Sequence, residues 1–177
     1  MYYTPKKQPK IAGILSVALY AAAATLYVLS EFFTPRLAYQ LAALVLVALG
    51  LFFTSRYLLT DYKYVIRDIE QKDSEASFTI VKISGKREAI VANFDIISIY
   101  ALEKCRKNSE FEEKHGKVTK IYNYTSNFAS PDVYKLAINF NDMKVLFSVE
   151  LCDEFAAEIK ARMVQMPQKD SGNSTEV

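Results

Sequence analysis

The sequence is poor in the residues that build reactive sites. It has no tryptophan, one histidine, two cysteines and five glycines. Cys105 and Cys152 lie far apart and form no C-x-x-C pair, so neither a thiol metal site nor a redox motif is indicated. We expect two free, partly buried thiols. The glycines form no G-x-x-x-x-G-K pattern, which excludes the common phosphate-cradling loop.

The only histidine, His115, lies in the charged segment 104–117 beside Glu112 and Glu113. One imidazole with adjacent carboxylates specifies no metal, and we interpret the segment as a solvated connection. No serine or cysteine stands in a recognisable arrangement with a base. The sequence therefore predicts no enzyme, no cofactor, no metal and no small-molecule substrate. A net charge of +2 without a basic run argues against a nucleic-acid partner.

Charge is absent from two long apolar stretches, 11–29 and 37–55. At ~1.5 Å per residue each would be roughly 28 Å long, close to the thickness of the hydrocarbon core. The alternative is a buried hairpin of a soluble protein, but surface helices need a polar stripe and neither stretch has one. We predict transmembrane helices at 11–30 and 37–56, joined by an external turn at 31–36.

Basic residues lie on one side of this predicted hairpin. They are Lys6, Lys7 and Lys10 before it, and Arg56, Lys63 and Arg67 after it. The positive-inside rule then predicts that both termini are cytoplasmic and that 1–10 is a cytoplasmic segment. Arg56 and Tyr57 are predicted membrane-interface anchors. Small residues at 21–24 leave signal-peptide cleavage open, which would still leave the later half in the cytoplasm.

After residue 60, apolar and charged residues alternate with the period of half-buried strands. Turn residues divide this half into seven predicted strands: 61–67, 77–83, 86–93, 96–102, 117–124, 134–140 and 144–150. In 152–166, Phe155, Ile159 and Met163 recur at helical spacing, which predicts an amphipathic helix. We expect a membrane-anchored α+β protein whose cytoplasmic domain, 61–166, is a seven-stranded antiparallel barrel capped by that helix. The tail 167–177 is predicted to be disordered.

The segment SRYLLTDYKYVI at 55–66, where a span runs into the first strand, and the terminal helix carry a family resemblance. Over residues 11–166 the chain resembles bacterial membrane proteins in which a transmembrane hairpin leads into a pleckstrin-homology-like (PH-like) domain. The resemblance implies a PH-like barrel at the plasma membrane. Eukaryotic PH domains usually carry a tryptophan in the closing helix, and here Phe155 is expected in its place. Phosphoinositide-binding members have a basic first loop, whereas 68–77 holds four acids and one lysine.

Two functions remain open. The first is a non-enzymatic interaction or scaffold module that binds a protein partner or a second copy of itself at the bilayer. The second is a reader of anionic lipid headgroups through a basic hairpin, with Lys82, Lys86 and Arg87, and with Lys63 on the neighbouring strand. Each cation near an anionic surface could contribute about 1 kcal/mol. The plainer interpretation of these residues is a charged turn that guards a sheet edge.

Overall fold

The structure is a computed structural model that describes residues 1–68, 76–128, 130–140 and 143–165. The tail predicted to be disordered lies outside these residues, as does most of the acidic loop 68–77. The order of elements begins with a two-residue strand and two long helices. A strand-rich domain and a final helix follow.

Two helices are long and apolar enough to cross a membrane: α1, Pro9–Leu29, and α2, Arg36–Phe53. They pack against each other as an antiparallel hairpin. The absence of a side chain at Gly50 lets the ring of Tyr20 approach closely, because a Cβ there would lie 2.7 Å from the Tyr20 Cε1 atom. The Tyr20 hydroxyl is also 3.2 Å from the Thr54 hydroxyl. Most of the other apolar side chains point away from the pair and are exposed.

The first sheet contains four antiparallel strands in the order β1-β2-β3-β4. These are β1, Tyr2–Tyr3; β2, Thr60–Asp68; β3, Ala76–Ser84; and β4, Arg87–Asp95. The sequence treats 1–10 only as a segment before the first span, and β1 is an unpredicted addition. It pairs with the far end of β2, where the Ile66 amide donates to the Met1 carbonyl at 2.8 Å. The chain before α1 and the chain after α2 therefore belong to one sheet.

The second sheet has the order β5-β7-β8-β6. Its strands are β5, Ile99–Lys104; β6, Lys120–Asn123; β7, Val133–Phe140; and β8, Met143–Glu150. β6 runs parallel to β8, and the other pairs are antiparallel. A short helix, α3, Asn108–His115, interrupts the segment that the sequence predicts to be a solvated connection.

The predicted seven-stranded antiparallel barrel is wrong. Each predicted strand has a counterpart, but the described residues form eight strands in two sheets, with no closed barrel. A 3-10 turn at Ile96–Ser98 replaces the start of the fourth predicted strand, and the chain changes sheets there. Alternation determines which residues form a strand, but the same alternation suits either sheet and either strand direction. A four-residue strand such as β6 offers little pattern to fix its partner.

The core lies between the two sheets and is rich in aromatic rings. Phe94 of the first sheet stacks on Phe147 of the second, with centroids 5.2 Å apart. The final helix, α4, Asp153–Gln165, contributes Phe155 and Ile159 to this core, and the predicted amphipathic helix is confirmed. On the outer face of the second sheet, α3 buries Phe111 in a second, smaller cluster.

Candidate functional site

The second long helix passes into the domain without a linker. After α2 the helix continues as a π-helical turn, Thr54–Leu58, and β2 begins two residues later. The Thr60 hydroxyl donates to the Ser55 carbonyl at 2.9 Å, and the Leu59 amide donates to the Thr54 carbonyl at 3.0 Å. This hydrogen bonding fixes the direction in which the domain leaves the helix.

Arg56, predicted from the sequence as an interface anchor, binds the loop that follows β6. Its guanidinium donates to the carbonyls of Asn123 and Thr125 at 2.8 and 3.1 Å. The same group lies 5.2 Å from the ring centroids of Tyr57 and Tyr62. A planar guanidinium donates hydrogen bonds in its plane while its faces stack on aromatic rings, so it can make both kinds of contact at once. Arg56 therefore ties the end of the helix to the second sheet.

An aromatic cluster stands at the same place, and we call it the junction cluster: Phe53, Tyr57 and Phe128. The ring of Phe128 lies 5.4 Å from Phe53 and 5.3 Å from Tyr57, in edge-to-face arrangements. Tyr57 was identified from the sequence. Phe128 was not, because nothing in a loop sequence indicates which distant ring it will meet. The cluster adds apolar contact between the second long helix and the domain, at the point where the chain leaves that helix.

The segment between β1 and α1 is also fixed to the domain. The Lys7 ammonium is 2.8 Å from the Asp61 carboxylate. The Gln8 amide donates to the side-chain oxygen of Asn127 at 2.6 Å, and the Asn127 amide group donates to the Lys6 carbonyl at 3.2 Å. Both helices of the hairpin are thus held at their domain ends.

Asn127 and its neighbour Ser126 join this network to a buried carboxylate, Glu150, at the end of β8. Glu150 is only 2% exposed. It accepts hydrogen bonds from the backbone amides of Ser126 and Asn127, at 3.2 and 3.1 Å, and from the Asn127 side chain at 3.1 Å. Burial raises the pKa of Glu150, and these donors offset part of that effect. The Tyr64 hydroxyl accepts a bond from the Glu150 amide at 3.0 Å.

The basic hairpin lies at the same end of the first sheet. Thr60 is paired with Ser84, so the turn between β3 and β4 stands beside the start of β2. Lys86 and Arg87 in and after this turn are exposed. The turn therefore lies at the end of the first sheet where the chain enters β2 from the helix.

The fourth residue of that prediction, Lys63, is separated from the others. Lys82 is paired with Tyr62 and Lys63 with Val81, so the two lysine side chains leave the sheet on opposite faces. The Lys63 ammonium lies 5.2 Å from the centroid of the Tyr2 ring. The structure brings three of the four predicted cations to one hairpin and places Lys63 over β1.

Among the residues that the structure describes, the edge of the first sheet is open along β4. In this part of the chain the strand pairs with β3 on one side and with no strand on the other. Its first half is exposed, and Ile90 in particular is 60% exposed. An edge strand with free backbone groups and an exposed apolar side chain is a template for another strand.

No arrangement of catalytic groups is found in the described part of the chain, which holds no group of three or more potential metal ligands. His115 ends α3, packs on the Phe111 ring at 4.5 Å and has its Nε2 atom 3.2 Å from Glu103. A hydrogen bond from Lys114 lowers the pKa of Glu103, as expected for a carboxylate held in an ion pair. Burial raises the pKa of the Cys105 thiol, the opposite of what activates a nucleophile.

Comparison with known proteins adds no relative. No family model, curated protein or solved structure matches this chain. The contacts that are most specific are those at the junction between the helix pair and the domain.

Proposed function

We propose that this chain is a membrane-anchored, non-enzymatic interaction module. The two helices form a hairpin through the plasma membrane, both termini lie in the cytoplasm, and the domain is presented at the cytoplasmic surface. The observation that carries this proposal is the set of contacts at the junction. Arg56, the junction cluster and the Asn127 network hold the domain against the ends of two apolar helices. Such tethering raises the effective concentration of the domain near other membrane-bound partners.

A PH-like domain in a bacterial membrane is part of this proposal. It is supported by the order of the elements, since seven strands and a closing helix follow the hairpin. Phe155 is buried in the core from that helix, where the resemblance places the tryptophan of other members. The parallel strand β6 departs from an all-antiparallel barrel. The bacterial location rests on the resemblance alone.

The surface that we assign to a protein partner is the open edge at β4. An extended segment of a partner, or β4 of a second copy, would add a strand there and cover Ile90. The strand is nine residues long, which is enough for a continuous ladder of backbone hydrogen bonds. Arg87 and Glu88 at its start would select the charge of the added segment.

Site-specific photocrosslinking in the full-length protein tests this surface. A benzophenone amino acid replaces Ile90, and the matched control replaces Val164, an apolar residue of α4 that is 83% exposed. After irradiation in native membranes, we expect an adduct at position 90 with the mass of a dimer or of one discrete partner, and none at position 164. Equal labelling at both positions, or none at either, would contradict the assignment.

Cysteine accessibility tests the orientation. Cys105 and Cys152 are first replaced by serine, and a single cysteine is placed at Thr34 or at Ser84. A membrane-impermeant maleimide should label position 34 in intact cells and position 84 only after permeabilisation. The reverse pattern would place the domain outside.

Anionic-lipid reading through Lys82, Lys86 and Arg87 is a second candidate, favoured by the position of the β3–β4 turn beside the start of β2. An environment-sensitive dye on a single cysteine at position 84, in the protein without Cys105 and Cys152, would report binding of lipid headgroups. In bilayers containing phosphatidylglycerol the dye should move to a less polar environment than in pure phosphatidylcholine. High salt and charge reversal of the three cations should abolish the difference. Persistence after charge reversal would refute this role.

A further inference from the structure

A polar cavity of about 320 Å³ lies beside the junction, and neither surface proposed above uses it. Its wall comes from the second sheet and from the loops after β5 and β6. The polar side chains include Arg106, Asn123, Thr125, Ser130, Lys135 and Ser148. Phe128 of the junction cluster forms another part of the wall, which places the cavity next to the end of the second apolar helix.

Lys135 is the unusual residue of this wall. It is 5% exposed, and its ammonium donates to the Ser148 hydroxyl at 2.6 Å. It forms no salt bridge within the described residues. Glu103 stands opposite Lys135 across the β5–β7 pair, but its carboxylate is held by Lys114 at 2.9 Å and lies beside His115. A buried ammonium without a counter-charge is costly, and burial lowers the pKa of Lys135 accordingly.

The rest of the wall also favours an anion. Arg106 is exposed at the mouth of the cavity and forms no salt bridge in the described part of the chain. Among the described residues, the polar side chains that line this cavity are cations, amides and hydroxyls. The Glu150 carboxylate lies behind the wall residue Asn127 and is already engaged by the amides of Ser126 and Asn127. Arginine presents several N–H donors in a plane, which matches the oxygens of a phosphate. The cavity is therefore electropositive and rich in donors.

We propose that this cavity binds a phosphate group, with Lys135 and Arg106 as the cations that hold it and the Ser148 hydroxyl as a third contact. The group belongs either to a lipid headgroup or to a soluble phosphate ester. The position beside Phe53, Tyr57 and Phe128 puts the cavity at the depth of lipid headgroups when the helices span a bilayer. The site is independent of the basic hairpin and of the β4 edge.

Phosphorus NMR on the full-length protein in a maltoside detergent tests the proposal, because the detergent contributes no phosphorus signal. One arm uses glycerol 3-phosphate and the other uses dioctanoyl phosphatidic acid. We compare the natural protein with Lys135→Met, which keeps the apolar stem, and with Lys120→Met, which removes a charge from an exposed residue of β6. The measured quantity is the dissociation constant from shift and linewidth.

Lys135→Met should weaken binding by at least about tenfold, as loss of a charge-assisted hydrogen bond does, while Lys120→Met should leave it unchanged. Binding of glycerol 3-phosphate assigns a soluble ester, and binding of phosphatidic acid alone assigns a lipid headgroup. Arg106→Gln, at an exposed position, should weaken binding of the same ligand by about threefold or more. Absence of binding in both arms, or equal affinities for all variants, would overturn the proposal.

Discussion

Asn127→Ala should release the segment before the first helix from the domain. The amide side chain of Asn127 makes three hydrogen bonds, with the Gln8 amide, the Lys6 carbonyl and the Glu150 carboxylate, at 2.6, 3.2 and 3.1 Å. Asn127 is 8% exposed, so water would replace these bonds poorly. At about 1 kcal/mol for each bond, the network loses about 3 kcal/mol.

Hydrogen exchange measures this loss of stability at β2, where β1 pairs with it. The Ile66 amide donates to the Met1 carbonyl, and it is shielded only while β1 is paired. A loss of about 3 kcal/mol corresponds to an opening that is more than about a hundredfold more frequent. Peptides covering β2 should therefore exchange much faster in Asn127→Ala, while those covering β7 should change far less. The matched control is Asn139→Ala, at an exposed asparagine of β7.

Two results would refute this reasoning. If exchange in β2 rose less than about threefold, Asn127 would not hold the segment, and the hydrogen bonds would contribute nothing beyond those with water. If β2 and β7 accelerated equally, the substitution would act on the whole domain, and the local network described here would not exist as a unit.

Three further predictions follow from the packing and from the buried carboxylate. Gly50→Val should destabilise the helix pair by about 1–3 kcal/mol, because the new side chain meets the Tyr20 ring. Gly13→Ala should leave stability unchanged or raise it by up to about 1 kcal/mol, since a Cβ there has nothing within 4 Å and alanine is the better helix former. Thermal unfolding in detergent compares the two variants. Phe111→Ala should cost about 3 kcal/mol in the same assay, because a fully buried ring leaves a cavity under α3. Because burial raises the pKa of Glu150 in the folded state, the carboxyl stabilises the fold most when protonated and loses that contribution as pH rises through the raised value. Relative to the natural protein, Glu150→Gln should therefore gain stability from acidic to neutral pH, and a pH-independent difference would show that this carboxyl does not titrate as inferred.

Long patterns in the sequence predict structure well here. Two charge-free stretches predict the two apolar helices, and the helical spacing of Phe155 and Ile159 predicts α4. In each of these elements many residues follow one pattern, so the type of element is indicated by several residues at once. Short elements are harder to predict: β1 has only two residues and is not predicted. β6 lies within the predicted strand 117–124, but its four residues are too few to fix its partner.

The candidate sites depend on contacts that the sequence does not display. Alternation in β7 predicts that Tyr134, Leu136, Ile138 and Phe140 point inward, which is confirmed for the first three and wrong for Phe140, which is 58% exposed. The same alternation would place Lys135 in solvent, but Lys135 is only 5% exposed. Lys135 is buried because α3 and the loop after β6 cover that face of the second sheet. Similarly, Asn127 and Glu150 are far apart in the chain, and their hydrogen bonds arise only once the sheet is formed. Both features depend on tertiary packing and not on the local sequence pattern.

The pairing of β1 with β2 also sets an order of events during synthesis. Tyr2 and Tyr3 leave the ribosome before their partners Val65 and Tyr64, which emerge only after both apolar helices have been made. If these helices enter a bilayer as they emerge, β1 stays unpaired until β2 has been made. If the first helix were inserted in the opposite sense, β1 and β2 would lie on opposite sides of the membrane, and the first sheet would lack β1. In a membrane-spanning hairpin, the β1–β2 pairing therefore requires that both ends of the hairpin lie on the same side.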